Sequence, residues 1–167
     1  ATIAAVGNDP AMLRLALELG ADPKAVTSMY DGTALIAAAH LGHDEVVRIL
    51  IKAGAPLDHV NNLGWTALIE AIVLGDGGTR HVACLAALLA AGADPNLPDR
   101  NGQSPLRLAR ARGFKEMVAL IEQARRRGVD IQANVYPYTR GNNDLASLVP
   151  PWAHEGGREK LLERLRD

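Results

Sequence analysis

Apolar residues along the first three quarters of the chain recur in short stretches at helical spacing, separated by glycine and small polar residues. Val46, Val47, Leu50 and Ile51 fall at i, i+1, i+4 and i+5, one face of a helix. Cys84, Leu85, Leu88 and Leu89 repeat that face, and Met117, Val118 and Ile121 repeat most of it. Ahead of each lies a second apolar stretch: TALIAAAHLG (33–42), TALIEAIVLG (66–75) and SPLRLARARG (104–113). Thr33, Thr66 and Ser104 precede these stretches, where a hydroxyl can accept an unpaired N–H of the first helical turn. Pro105 follows at the first helical position, where its missing N–H costs nothing. Ala37, Ala38, Ala39, Ala71 and Ala109 are small enough to let neighbouring helices approach closely. Gly54 and Gly92 suit left-handed helix stops. The pattern predicts pairs of short helices.

The pairs are periodic. Thr33 and Thr66 are 33 residues apart, and Thr66 and Ser104 are 38 apart. A second series, GADP (20–23), GAPL (54–57) and GADP (92–95), keeps step. Gly42 to Gly54 is 12 residues but Gly75 to Gly92 is 17, which places five additional residues between the helices of the third pair. Asp76, Gly77, Gly78, Thr79 and Arg80 have a loop composition.

Motif, period and order together resemble the ankyrin repeat over about residues 1–124. The segment GTALIAAAHLGHDEVVRILIKAGA (32–55) follows the family unit closely. The resemblance implies a mainly α solenoid of about three to four helix-turn-helix units, at about 1–27, 28–60, 61–98 and 99–124. Ala34 and Ala67 stand where the family has proline, and Ile36, Ile69 and Arg107 where it has histidine. The bonds that this histidine makes between units are therefore expected to be absent. Asp31 stands where glycine is usual. Asn61-Asn62 and Arg100-Asn101 sit where the family places hairpin tips.

The family resemblance implies protein–protein recognition through hairpin tips and the concave face of the first helices. The corresponding positions are Met29, Tyr30, His40 and Leu41, then Asn62, Leu63, Trp65, Val73 and Leu74, then Arg100, Asn101, Gln103 and Arg112. Trp65 is the sharpest of them, because tryptophan often anchors interfaces. Packing of its ring on a neighbouring hairpin is an equal alternative. His43 and His81 read as helix-start residues without a metal partner at ligand spacing. Cys84 reads as an inert core thiol. Arg107, Arg110, Arg112 and Lys115 read as a solvated, cap-like surface.

Beyond Ala124 the repeat stops. Val129, Ile131, Ala133 and Val135 alternate with polar residues and predict a strand, followed by a loop over 136–143 and a helix over 158–166. GVDIQANVYPYT (128–139) and PPWAHEGG (150–157) resemble the N-acyl-D-amino-acid deacylases of the amidohydrolase superfamily. That resemblance implies that Tyr136 or Tyr138 lay near substrate in a parent enzyme. It implies zinc only for a complete amidohydrolase, whose ligands would come from outside this chain. The chain has no H-x-H pair, and His154 matches no ligand position. Residues 125–167 are expected to be an enzyme-like fragment fused to the repeats. An ankyrin–amidohydrolase fusion, or part of such an enzyme, is the alternative to an interaction module.

Composition narrows the classes further. The chain has 167 residues, 48% hydrophobic and 4% aromatic, so alanine and leucine carry the core. A net charge of −1 supplies no basic field for nucleic acid. The lone cysteine makes no intrachain disulfide. No apolar run approaches the ~18 residues of a membrane span. The expectation is a cytoplasmic monomer that binds another protein, has no cofactor and is not an enzyme.

Overall fold

The structure, a computed structural model, describes the backbone of residues 1–135 and the side chains of residues 1–127. Ala1–Val129 form one compact unit. The described residues form eight helices: α1 Thr2–Val6, α2 Pro10–Glu18, α3 Ala34–His40, α4 Asp44–Lys52, α5 Ala67–Val73, α6 Thr79–Ala90, α7 Pro105–Ala111 and α8 Lys115–Val135. They pair as four units, α1–α2, α3–α4, α5–α6 and α7–α8. First helices pack in the row α1, α3, α5, α7, and second helices in the row α2, α4, α6. The expected helical solenoid is the observed one.

Local chemistry fixes the helix starts. Thr33, Thr66 and Ser104 cap α3, α5 and α7, accepting the N–H of Ile36, Ile69 and Arg107 at 3.3, 3.3 and 3.4 Å. The core is thin and aliphatic. Leu13, Leu35, Leu50, Leu68, Ile72, Leu85, Leu88 and Ile121 are fully buried between the two helix rows. Ala38, Ala39 and Ala71 are also fully buried, as close packing of the first helices requires.

Two sequence expectations change, and bonds from unexpected residues join the units. The inserted residues are not all loop. The turn between α5 and α6 is Leu74–Gly78, and Thr79 and Arg80 already belong to α6. Two residues lengthen the turn, and three extend α6 to 12 residues against the 9 of α4. Asp76 organises the turn by accepting the Gly78 N–H at 2.8 Å.

Inter-unit bonds are present despite the missing histidines, because other side chains supply them. A His43 ring nitrogen meets the Ala5 carbonyl of the preceding unit at 2.9 Å. A His81 ring nitrogen meets the His40 carbonyl at 2.9 Å. Arg112 donates to the Gly75 carbonyl at 3.0 Å. Each bond ties the turn region of one unit to the first-helix end of the unit before.

The strand expected over Val129–Val135 is helix, the last part of α8. A strand leaves its backbone groups to a partner strand. The described residues offer only the isolated Val26–Thr33 bridge. Helix propagation from Lys115 pairs those groups locally, and Gly128 costs it only about 1 kcal/mol. Residues 136–167, with Tyr136, Tyr138, His154 and the expected loop and helix, lie outside the described residues.

Candidate partner-binding site

Between successive units the chain makes a hairpin, and one polar side chain builds each tip. Ser28 accepts the N–H groups of Tyr30 and Gly32. Asn61 accepts those of Leu63 and Trp65, both at 3.0 Å. Asp99 accepts those of Asn101 and Gln103 at 2.9 and 2.8 Å. The spacing is the same each time, to i+2 and i+4. Asn61 and Asp99 are buried beneath their tips, so the bonds are shielded from water. Within each hairpin a left-handed residue makes the reversal: Asp31 at φ 55°, Gly64 at φ 83° and Gly102 at φ 71°.

The hairpins are also bonded to one another. The Asn62 N–H donates to the Tyr30 carbonyl at 2.9 Å, and its side-chain amide donates to the Met29 carbonyl at 3.3 Å. A His59 ring nitrogen meets the Asp31 carbonyl at 2.6 Å. Asp58 accepts the Asp94 N–H at 3.0 Å. Arg100 lies over Gly64, where an added Cβ would come within 2.3 Å of its Cγ. The tips form one tied row.

That row sorts the thirteen candidate positions. Met29 is 83% exposed, and Tyr30, Leu63, Leu41 and Leu74 are also exposed apolar residues. They lie on the first two hairpins and on the inter-helix turns of the second and third units. Trp65 and Val73 are only half-exposed. Asn62 is occupied as a link between tips. Arg112 is occupied twice, by the Gly75 carbonyl and by the Phe114 ring, whose centroid lies 5.1 Å from its guanidinium carbon. Arg100 and Asn101 are exposed on the third tip, while Gln103 is half-exposed and its N–H is held by Asp99. The exposed end of this surface is therefore apolar at hairpins one and two and polar at hairpin three.

Beneath it lies a polar group that the sequence reading did not single out. Glu70 on α5 is 4% exposed. Its Oε1 accepts from the Asn61 amide at 2.8 Å, and its Oε2 lies 3.2 Å from His40 Nδ1, outside hydrogen-bond geometry. Burial raises the Glu70 pKa above its ordinary 4.5, while His40 and the Asn61 amide pull it back. Asn61 thus serves two elements, the hairpin tip through Oδ1 and α5 through Nδ2.

The remaining polar candidates have structural roles. His81 is wedged beside Gly42 and Gly75, with its other ring nitrogen 2.8 Å from Asp76 Oδ1. Both nitrogens face oxygen atoms, Asp76 Oδ1 and the His40 carbonyl. The Asp76 carboxylate is held below its usual pKa, first by the Gly78 N–H and then by His81. Cys84 is fully buried, and burial, aided by Asp44, pushes its thiol up to about 12. Such a thiol is not a nucleophile at neutral pH. Among the described residues no group of three or more His, Cys, Asp or Glu could hold a metal ion. No described helix is long and apolar enough to cross a membrane.

Comparison with known proteins places these features in a family context. Residues 2–99 match the family model "Ankyrin repeats (3 copies)", and residues 79–121 match "Ankyrin repeats (many copies)". The putative ankyrin repeat protein YahD of Escherichia coli (strain K12) is 39% identical over 120 residues, which are 71% of this chain and 59% of YahD. The chain thus spans less than two thirds of that relative. The crystal structure of an ankyrin repeat domain from Acinetobacter baumannii AYE superposes with a TM-score of 0.71 at 50% identity, over 74% of this chain and 62% of that one. A second ankyrin repeat crystal structure superposes with a TM-score of 0.68 at 29% identity, over 72% of this chain and 61% of the other.

Proposed function

This chain belongs to the ankyrin repeat family, and on that premise we propose a non-catalytic scaffold that binds another protein through its first two hairpins and the adjoining turns. The observation that carries the reading is the tied row of tips. Loops ordered by Ser28 and Asn61 and cross-linked by Asn62 hold Met29, Tyr30 and Leu63 in water. Exposed apolar side chains on ordered backbone favour association, because little conformational entropy is left to lose on binding. Leu41 and Leu74 extend the apolar surface onto the inter-helix turns. Trp65 supports the surface from a half-buried position, and Arg112 holds units together instead of meeting a partner. Arg100 and Asn101 form the polar end.

Photo-crosslinking tests this directly. A crosslinking residue at Met29 or Leu63 is expected to capture a protein partner, and one at Glu18 or Lys52 on the second-helix side is not. In the captured complex, Leu63→Ser is expected to weaken affinity about tenfold, the usual scale for an interface anchor. Capture only from the second-helix side would overturn the assignment of the face.

A further inference from the structure

Comparing the same position in neighbouring units isolates one side chain whose charge the fold does not need. Glu70 is the fourth residue of α5, and Ala37 and Leu108 are the fourth residues of α3 and α7. An apolar residue thus suffices at this position in the units on either side. The hairpin tips built by Ser28 and Asp99 likewise form without a carboxylate beneath them. In the third unit one carboxylate oxygen has a structural use, because Glu70 Oε1 accepts the Asn61 amide at 2.8 Å. The other does not: Oε2 is buried and accepts no hydrogen bond. A buried acceptor without a donor is costly, and burial also disfavours the ionised carboxylate. A cation delivered to Oε2 would remove both penalties.

The surroundings supply no such cation. Residues 25–43 and 53–79 contain neither lysine nor arginine, yet they hold Asp31, Asp58, Glu70 and Asp76. Among the described residues no lysine or arginine pairs with Glu70. The His40 ring alone stands beside Oε2, with Nδ1 at 3.2 Å and outside hydrogen-bond geometry. Its side chain is 46% exposed and makes no hydrogen bond among the described residues, so rotation of the ring can uncover the oxygen. Trp65 is bound to Asn61 through both its backbone N–H and its carbonyl, and it brings a half-exposed indole, a face that attracts cations, to the same hairpin. We propose that Glu70 is the seat of a lysine side chain presented by the partner protein, with His40 as its movable cover. Lysine fits better than arginine because Asn61 already occupies Oε1. A guanidinium fork needs two free oxygens, whereas an ammonium is a point charge that can bond one. The inference rests on the partner-binding reading only for the origin of the lysine.

The test titrates the full chain with capped lysine, N-α-acetyl-lysine methylamide, and follows the Asn61 side-chain amide by NMR, since that amide is bonded to the other oxygen of Glu70. A saturable shift is expected with capped lysine, a weaker one with capped arginine and none with capped norleucine. Glu70→Gln keeps an oxygen for Asn61 and is expected to weaken the capped lysine about tenfold or more, the scale of a lost hydrogen bond to a charged group. His40→Ala removes the cover and is expected to tighten it. No saturable shift in either the parent or His40→Ala would overturn the proposal, as would undiminished binding by Glu70→Gln or equal binding of norleucine. Tighter binding of a free diamine than of capped lysine would overturn the protein source of the ammonium. Crosslinking capture at Met29 or Leu63 without the lysine shift would remove the seat and keep the hairpin face, and the lysine shift without capture would keep the seat and remove the face.

Discussion

Met12 and Met117 are the third residues of α2 and α8, in the first and last units, yet one is half in water and the other fully buried. At the register of Ile36 the contrast reverses: the inner units bury Ile36 and Ile69, and the last unit has the exposed Arg107. The last unit carries exposed cations where the inner units bury apolar side chains. In a stack where each unit contacts only its neighbours, the cost of a substitution then depends on position as much as on residue type.

The largest expected effect tests that contrast with one substitution made twice. Met117→Ala should cost about 2–5 kcal/mol, the range for emptying a buried methionine site. Met12→Ala should cost under about 1 kcal/mol, because half its surface is already hydrated. Urea denaturation followed by circular dichroism measures both. Equal losses would mean that the first unit is packed as tightly as the last, contrary to its exposure.

The second contrast lies among the hairpins. Gly64 and Gly102 make their reversals without a side chain, while Asp31 makes the same turn at φ 55°. An L-residue there is strained, but glycine gains freedom in the unfolded chain, which offsets part of the relief. Asp31→Gly is therefore expected to stabilise by about 0.5–1 kcal/mol. Gly64→Ala is expected to destabilise by about 1–3 kcal/mol, since it adds left-handed strain and drives a Cβ into Arg100. Thermal melts of the two variants should move in opposite directions. Movement in the same direction would show that the first hairpin is not the strained one.

Much of this was legible in the residues, and what was not has physical reasons. The helix starts at Thr33, Thr66 and Ser104 were readable because capping is local, involving a side chain and a backbone three residues on. The tip builders Ser28, Asn61 and Asp99 share no residue type, so only their common 33- and 38-residue spacing marks them. Glu70 was not singled out, because its burial depends on His40 and Asn61 in other elements. The alternation at Val129–Val135 misled because period two describes a side-chain pattern and does not supply a partner strand. Met29 and Leu63 were named as surface positions and are exposed, whereas Asn62 and Arg112 were named with them and turned out to bond neighbouring units. Sequence period located the surface but could not separate its free side chains from its fastened ones.

The smallest expected effect is a slope, and it separates the middle of the stack from both ends. Glu70 is the buried carboxylate of the described residues with an unpaired oxygen. Its pKa is raised in the folded chain above the ordinary 4.5, chiefly by burial. The folded state therefore holds this proton more tightly than the unfolded state does. The resulting stability is fully present below about the ordinary carboxylate pKa and is lost as pH rises through the raised folded value. Asp76 has the opposite sign: its pKa is lowered, so its contribution is present above the ordinary 3.8 and is lost as pH falls through the folded value. Its full exposure leaves that contribution screened. Glu70→Gln keeps an oxygen for the Asn61 amide and removes the titrating proton. Between pH 4 and 7 its stability should fall less with rising pH than that of the parent, by urea midpoints at matched ionic strength. Parallel profiles would mean that His40 compensates the buried charge and that the middle unit bears no proton-linked cost.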